Sequence, residues 1–176
     1  MYYAGIGSRE TPVDVLQYFE RLGEWFSQNG WVLRSGHADG ADRAFEMGCD
    51  RASKEKEIYI PWRGFNNSES LLYLDNLVNS EQAYEIARQY HPNWNNLKEA
   101  AKKLMARNTY QILGMDLRTP SRLVVCWTKG GKEVGGTSQA LRIARACNIK
   151  VINAGSYSDL NMVSKEITEF LASMLA

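Results

Sequence analysis

The run Leu123-Val124-Val125-Cys126-Trp127, continued by Thr128-Lys129-Gly130-Gly131-Lys132-Glu133-Val134-Gly135-Gly136-Thr137-Ser138, restricts the fold more than any other stretch of the chain. Val124 to Trp127 is apolar without alternation, the pattern of a strand buried on both faces. Ser138 to Cys147 lacks Gly and Pro and sets Ala140, Leu141, Ala144 and Cys147 at helical spacing. A strand, a glycine loop and a helix therefore follow in order. Such a loop leaves backbone N–H groups without intrahelical acceptors at the positive end of a helix dipole, and glycine lets an anion come close to them. The natural guest is a phosphate.

The same unit recurs earlier. Tyr2 to Ile6 reads as a first strand running into Gly7-Ser8-Arg9-Glu10. Thr11, Pro12 and Asp14 resemble a helix start, with a hydroxyl cap, proline at the first helical position and an acid in the first turn. Leu16, Phe19, Leu22 and Phe26 mark the apolar face of that helix, and Asn29-Gly30 ends it. Trp31 to Ser35 is a second strand, followed by the turn Gly36-His37-Ala38-Asp39-Gly40-Ala41-Asp42 and a helix carrying Ala44, Phe45 and Cys49. A third strand, Glu57 to Ile60, stops at Pro61. From about 62 to 97 the chain reads as an insertion, with loop signals at Asn66, Asn67, Ser68 and Ser70 and a helix over Ser80 to Tyr90 that Ser80 can cap. His91-Pro92 breaks it, and a further helix spans Leu97 to Leu113. Lys150 to Asn153 is the last strand, and Leu160, Val163, Ile167, Phe170, Leu171 and Met174 stripe a final helix whose default role is core packing.

Alternation of strands and helices predicts an α/β fold: a Rossmann-like open parallel sheet of about five strands in the order 3-2-1-4-5, with helices on both faces. In that order the first and fourth strands meet at the switch point, where open α/β sheets bind ligands. Residues 1–176 read as one domain. Lys+Arg is 21 against 20 for Asp+Glu, a formal charge of +1, which disfavours a nucleic-acid coat although it leaves nucleic acid among the candidate partners. The three cysteines lack a C-x-x-C spacing, so neither a disulfide framework, a zinc site nor another metal is expected, and a reducing cytoplasm is the simplest compartment. The N-terminus lacks a basic and apolar leader, and no apolar run has the length of a membrane span.

Gly7-Ser8-Arg9, the turn Ser35-Gly36-His37-Ala38-Asp39-Gly40-Ala41-Asp42, and the pairs Gly130-Gly131 and Gly136-Thr137 together resemble the SLOG superfamily. That group joins the Rossmann domain of DNA-processing protein A (DprA), the Lonely Guy (LOG) phosphoribohydrolases and nucleotide-sensing domains. The resemblance covers nearly the whole chain outside about 62–97. It implies a cytoplasmic protein that binds a nucleotide-like small molecule, a mononucleotide or an ADP-ribose or NAD-derived signal, and self-associates, with no separate cofactor. The implied ligand-binding residues are Gly7, Ser8, Arg9, Ser35, Gly36, His37, Asp39, Gly40, Asp42, Gly130, Gly131, Gly135, Gly136, Thr137 and Ser138. The LOG enzymes carry P-G-G-x-G-T-x-x-E. Here Lys129 replaces the proline, Lys132 to Gly135 enlarge the loop, and Ala140 stands where the acid is expected. A sensor or sequestering protein is implied first. A LOG-like nucleotide N-glycosidase, with Glu133 or Asp39 activating water, is the alternative, and a DprA-like single-stranded DNA binder the third.

The side chains carry their own alternatives. Glu133 is either a catalyst or a solvated loop residue. Asp42 either binds ligand or, more in keeping with its position, caps the following helix. Arg9 either pairs a phosphate or bridges to Glu10. His37 is a binding candidate and His91 a structural one. Trp62, Phe65 and Trp94 either form a stacking lid or fold onto the core. Met105-Ala106-Arg107-Asn108 faintly echoes an upstream arginine segment of the family, while Lys98, Lys102, Lys103, Arg107, Arg118 and Arg122 read as the wet face of helices.

Overall fold

A computed structural model of the protein describes residues 1–53 and 55–176. Six parallel strands form one sheet: β1 (Tyr2–Gly5), β2 (Val32–Ser35), β3 (Lys56–Ile60), β4 (Leu72–Tyr73), β5 (Leu123–Cys126) and β6 (Lys150–Asn153), in the spatial order β4-β3-β2-β1-β5-β6. The predicted order holds for the five long strands, with β5 and β6 as its fourth and fifth. The expectation of about five strands is corrected by β4, which lies inside the insertion. The Ser70 hydroxyl donates to the Ile58 carbonyl at 2.5 Å and holds this two-residue segment against the edge of β3. So short a strand gives no periodic signal.

The central strands are apolar on both sides, as a sheet covered by helices requires. Tyr3, Leu33, Leu123 and Val125 face one core with Phe19 and Phe26 of α1 (Val13–Gln28), Phe45 of α2 (Ala41–Asp50), and Val163 and Ile167 of α6 (Leu160–Ser173). Ala4, Val124 and Cys126 face the other, against α3 (Ser80–Gln89), α4 (Glu99–Leu113) and α5 (Gly136–Ala146). Phe19 and Phe26 are fully buried, and truncating either to alanine should cost about 3–5 kcal/mol. Leu160, Phe170, Leu171 and Met174 pack against the first core, so the final stripe is a core face.

Several helix ends differ from the sequence reading. The Thr11 hydroxyl does not cap α1; it donates to the Ser8 carbonyl at 2.6 Å and braces the preceding loop. Ser80 is the first residue of α3 rather than its cap. α5 begins at Gly136, two positions before the expected Ser138, because Gly135 takes φ 79°, a left-handed conformation that glycine reaches without a side-chain penalty. Among the described residues, no helix is long and apolar enough to cross a membrane.

Candidate functional site

A cleft of about 570 Å³ opens at the carboxyl ends of the strands, over the switch between β1 and β5. Its lining draws on the loop after β1 (Gly7, Ser8, Arg9, Glu10), the turn after β2 with the start of α2 (Ala38, Asp39, Asp42), and the loop after β5 with the start of α5 (Val134, Gly135, Gly136, Thr137). The three loops singled out by sequence do converge. The Ser8 amide donates to the Trp127 carbonyl at 3.1 Å, so the first loop is tied to the chain leaving β5. Gly136 and Thr137 lead α5, where the first amides have no intrahelical acceptor.

Asp42 is not a cap; Gly40 occupies that position. Its carboxylate, 4% exposed in the first turn of α2, accepts the Gly7 amide at 3.2 Å and the Ala38 amide at 3.3 Å, joining the first two loops. Burial pushes its carboxyl up to about 6, against the opposing pull of the nearby Arg107 guanidinium and these two amides.

The largest departure from the sequence reading lies in α4. From Met105 to Leu113 every residue is buried, and Arg107 is 5% exposed. Its Nη1 donates to the carbonyls of Gly36 at 2.6 Å and Tyr59 at 2.9 Å, and its Nε donates to Asn108 Oδ1 at 2.9 Å. Among the described residues Nη2 has no hydrogen-bond partner, and it is not a sealed atom. Because Arg107 lines the cleft, these free donors face its interior. Burial pushes the guanidinium down to about 10, with Asp42 pulling the other way. The wet-face reading of Arg107 is thereby corrected. A signal was present: Leu104, Met105, Ala106, Tyr110, Ile112 and Leu113 surround this part of the helix, and a helix apolar all round is buried all round. Asn108 donates from Nδ2 to the Gly136 carbonyl at 3.1 Å and ties α4 to the start of α5. Gln111, one turn beyond Arg107, also lines the cleft at 2% exposure.

Other expected site residues stand behind the lining. Ser35 is buried and donates to the Gly5 carbonyl at 2.6 Å. Gly36 underlies α4: a Cβ there would lie 2.5 Å from Arg107 Nη1 and closer still to Gln111 Nε2. A Cβ at Gly40 would lie 2.6 Å from the Ser8 carbonyl oxygen, so this glycine lets the first two loops touch. His37 turns away into a polar cluster. Arg43 Nη1, always a donor, meets His37 Nε2 at 3.2 Å, which places the ring proton on Nδ1, where it is donated to Glu46 at 2.6 Å. Gly130 and Gly131 form a 3-10 turn outside the cleft, with Gly131 against Ser156. Ser138 lies buried behind the mouth, its hydroxyl donating to the Gly135 carbonyl at 2.5 Å. Glu133 pairs with Arg145 and does not line the cleft. Arg9 and Asp39 are exposed at the cleft. Of the insertion aromatics, Phe65 reaches the lining, Trp62 packs edge-on against it, and Trp94 instead meets Tyr84 and His91.

The lining thus combines an open helix N-terminus, a buried guanidinium with free donors, carboxylates at Glu10, Asp39 and Asp42, and apolar walls at Ile6, Phe65, Leu104, Met105 and Ala140. Such a surface holds an anion at one place and hydroxyls or a ring at another. Compared with known proteins, the chain matches no family model, no curated protein and no solved structure.

Proposed function

We propose that the protein is a SLOG-like nucleotide-binding protein, a sensor or sequestering protein whose ligand carries phosphate and ribose, acting in the cytoplasm. The observation that carries the reading is the convergence of the α5 start and the free Nη2 donors of buried Arg107 on one cleft with the Gly7-Ser8-Arg9 loop. The phosphate sits against Gly135, Gly136 and Thr137, where helix dipole and free amides favour negative charge. Arg9 at the mouth adds an exposed cation. Asp39, exposed at the same rim, accepts ribose hydroxyls. The mixed sign of the lining suits a small ligand of this kind better than the repeated phosphates of a single strand of DNA, for which a continuous basic groove is needed.

Incubation of the pure protein with mononucleotides, ADP-ribose and NAD, followed by mass spectrometry, tests the reading. Retention of intact nucleotide is expected. Release of free base and ribose phosphate would replace the binder by an N-glycosidase, with Asp39 as the carboxylate to mutate first because Glu133 faces Arg145. Retention of none of these compounds would refute the reading.

A further inference from the structure

Gln111 and Arg107 stand one helical turn apart on the same face of α4, and both lie above Gly36. Gln111 is 2% exposed, yet among the described residues neither atom of its carboxamide has a hydrogen-bond partner, and neither is sealed from the cleft. A planar group with two donor hydrogens and an acceptor is thus held almost without solvent and without a mate. Nearly buried polar groups left in that condition are costly, and the usual resolution is a partner supplied from outside the chain.

We infer that Gln111, with Arg107 Nη2 beside it, reads the hydrogen-bonding edge of the ligand's nucleobase and sets which base the protein accepts. This rests on the nucleotide reading of the cleft. The chemistry of the floor separates a base from the other parts of a nucleotide. A phosphate is not served by Gln111, whose carbonyl repels an anion and whose amide carries no charge; the α5 start serves it better. A sugar would set hydroxyls against the apolar surfaces of Ile6, Phe65 and Met105. A flat heteroaromatic ring lays its faces on those surfaces and presents donors and acceptors only at its rim, which matches a carboxamide and a guanidinium nitrogen at the end of an apolar slot. The Arg107 guanidinium lies 5.4 Å from the centre of the Phe65 ring, so the polar floor and an aromatic wall are adjacent. Gly36 is required by the same arrangement, since any side chain there would displace both polar groups from the floor.

Isothermal titration with AMP, GMP, CMP, UMP and ribose 5-phosphate, on the wild type, Gln111→Met and Gln111→Glu, tests the inference. Methionine keeps the unbranched shape and removes the hydrogen bonds; glutamate keeps the shape, replaces the donors and can pair with Arg107, so it carries the test if the methionine variant does not fold. In the wild type the best and worst bases should differ by about tenfold or more, as expected where a site hydrogen-bonds one edge and leaves its groups unmatched against another. Gln111→Met should compress that spread to about threefold while leaving ribose 5-phosphate within about twofold, and Gln111→Glu should reorder the bases toward those that present an amino group. Equal binding of all four nucleotides by the wild type, an unchanged spread in both variants, or a parallel loss of ribose 5-phosphate would overturn the role of Gln111 and leave the nucleotide site standing. Binding of none of the five compounds would overturn the role of Gln111, and the nucleotide site falls with it only if ADP-ribose and NAD are not bound either.

Discussion

Replacing Asp42 by asparagine should change the pH dependence of stability in a direction and amount that the structure sets. The folded chain holds this carboxyl at about 6, against an ordinary value of 3.8, because burial outweighs the pull of Arg107 and of the Gly7 and Ala38 amides. A raised acid pKa means that the folded state binds the proton more tightly than the unfolded state. Asp42 therefore opposes folding increasingly as pH rises from 3.8 toward 6, and it contributes no penalty well below 3.8. Linkage for this single site with the two values gives a cost of about 3 kcal/mol at about pH 7.5 and about 0.6 kcal/mol at about pH 4. Asparagine loses an acceptor for one of the two amides, an offset that does not vary with pH, and removes the titration. The stability of Asp42→Asn minus that of the wild type should accordingly rise by about 2 kcal/mol between about pH 4 and about pH 7.5. Urea denaturation of both proteins across this range measures the difference, in which groups that titrate alike in both proteins cancel. A difference that stays flat within about 0.5 kcal/mol, or falls with pH, would contradict a net burial penalty on the Asp42 carboxylate. It would mean that Arg107 and the two amides stabilise the carboxylate at least as much as burial opposes it.

Other substitutions address separate parts of the account. Gly36→Ala places a Cβ 2.5 Å from Arg107 Nη1 and should cost about 1–3 kcal/mol, seen as a lower Tm, together with loss of AMP binding. Glu133→Ala should leave AMP affinity within about twofold and change stability by less than about 1 kcal/mol, because Glu133 forms a partly exposed pair with Arg145 outside the cleft; any turnover abolished by this change would contradict its placement. Thiol titration of the native protein should show one fast cysteine, Cys147, which is exposed, while burial pushes the Cys126 thiol up to about 12 and also raises that of Cys49. The fast reaction should vanish in Cys147→Ser.

Strand positions and their order were legible in the sequence because β1, β2, β3, β5 and β6 are short apolar runs separated by helices with clear stripes, and right-handed crossovers leave few ways to arrange them. The convergence of the three loops followed from that order. What sequence did not disclose came from partners distant in the chain. Ser35, Gly36 and Gly40 sit in a ligand-like motif, yet their surroundings are the Gly5 carbonyl, the α4 side chains and the Ser8 carbonyl. Gly130 and Gly131 share a loop with Gly135 and Gly136, but their 3-10 turn faces Ser156 instead of the cleft. Asp42 has the position of a helix cap, but Gly40 ends the loop in its place and frees the carboxylate to join two loops. Arg107 and Gln111 were hidden by the lysines at the start of α4, which make the helix look amphipathic although its second half is buried all round.

The proposed function places a nucleotide phosphate on the start of α5. Titration of 15N-labelled protein with AMP, followed by amide resonances, tests it most directly. The largest shifts are expected on Gly135, Gly136 and Thr137, with smaller ones at Gly7 and Ser8, and Arg107→Met should weaken the saturation curve by about tenfold or more. Saturable shifts confined to other surfaces would contradict it, as would the absence of shifts with millimolar AMP, GMP, CMP, UMP, ADP-ribose and NAD alike.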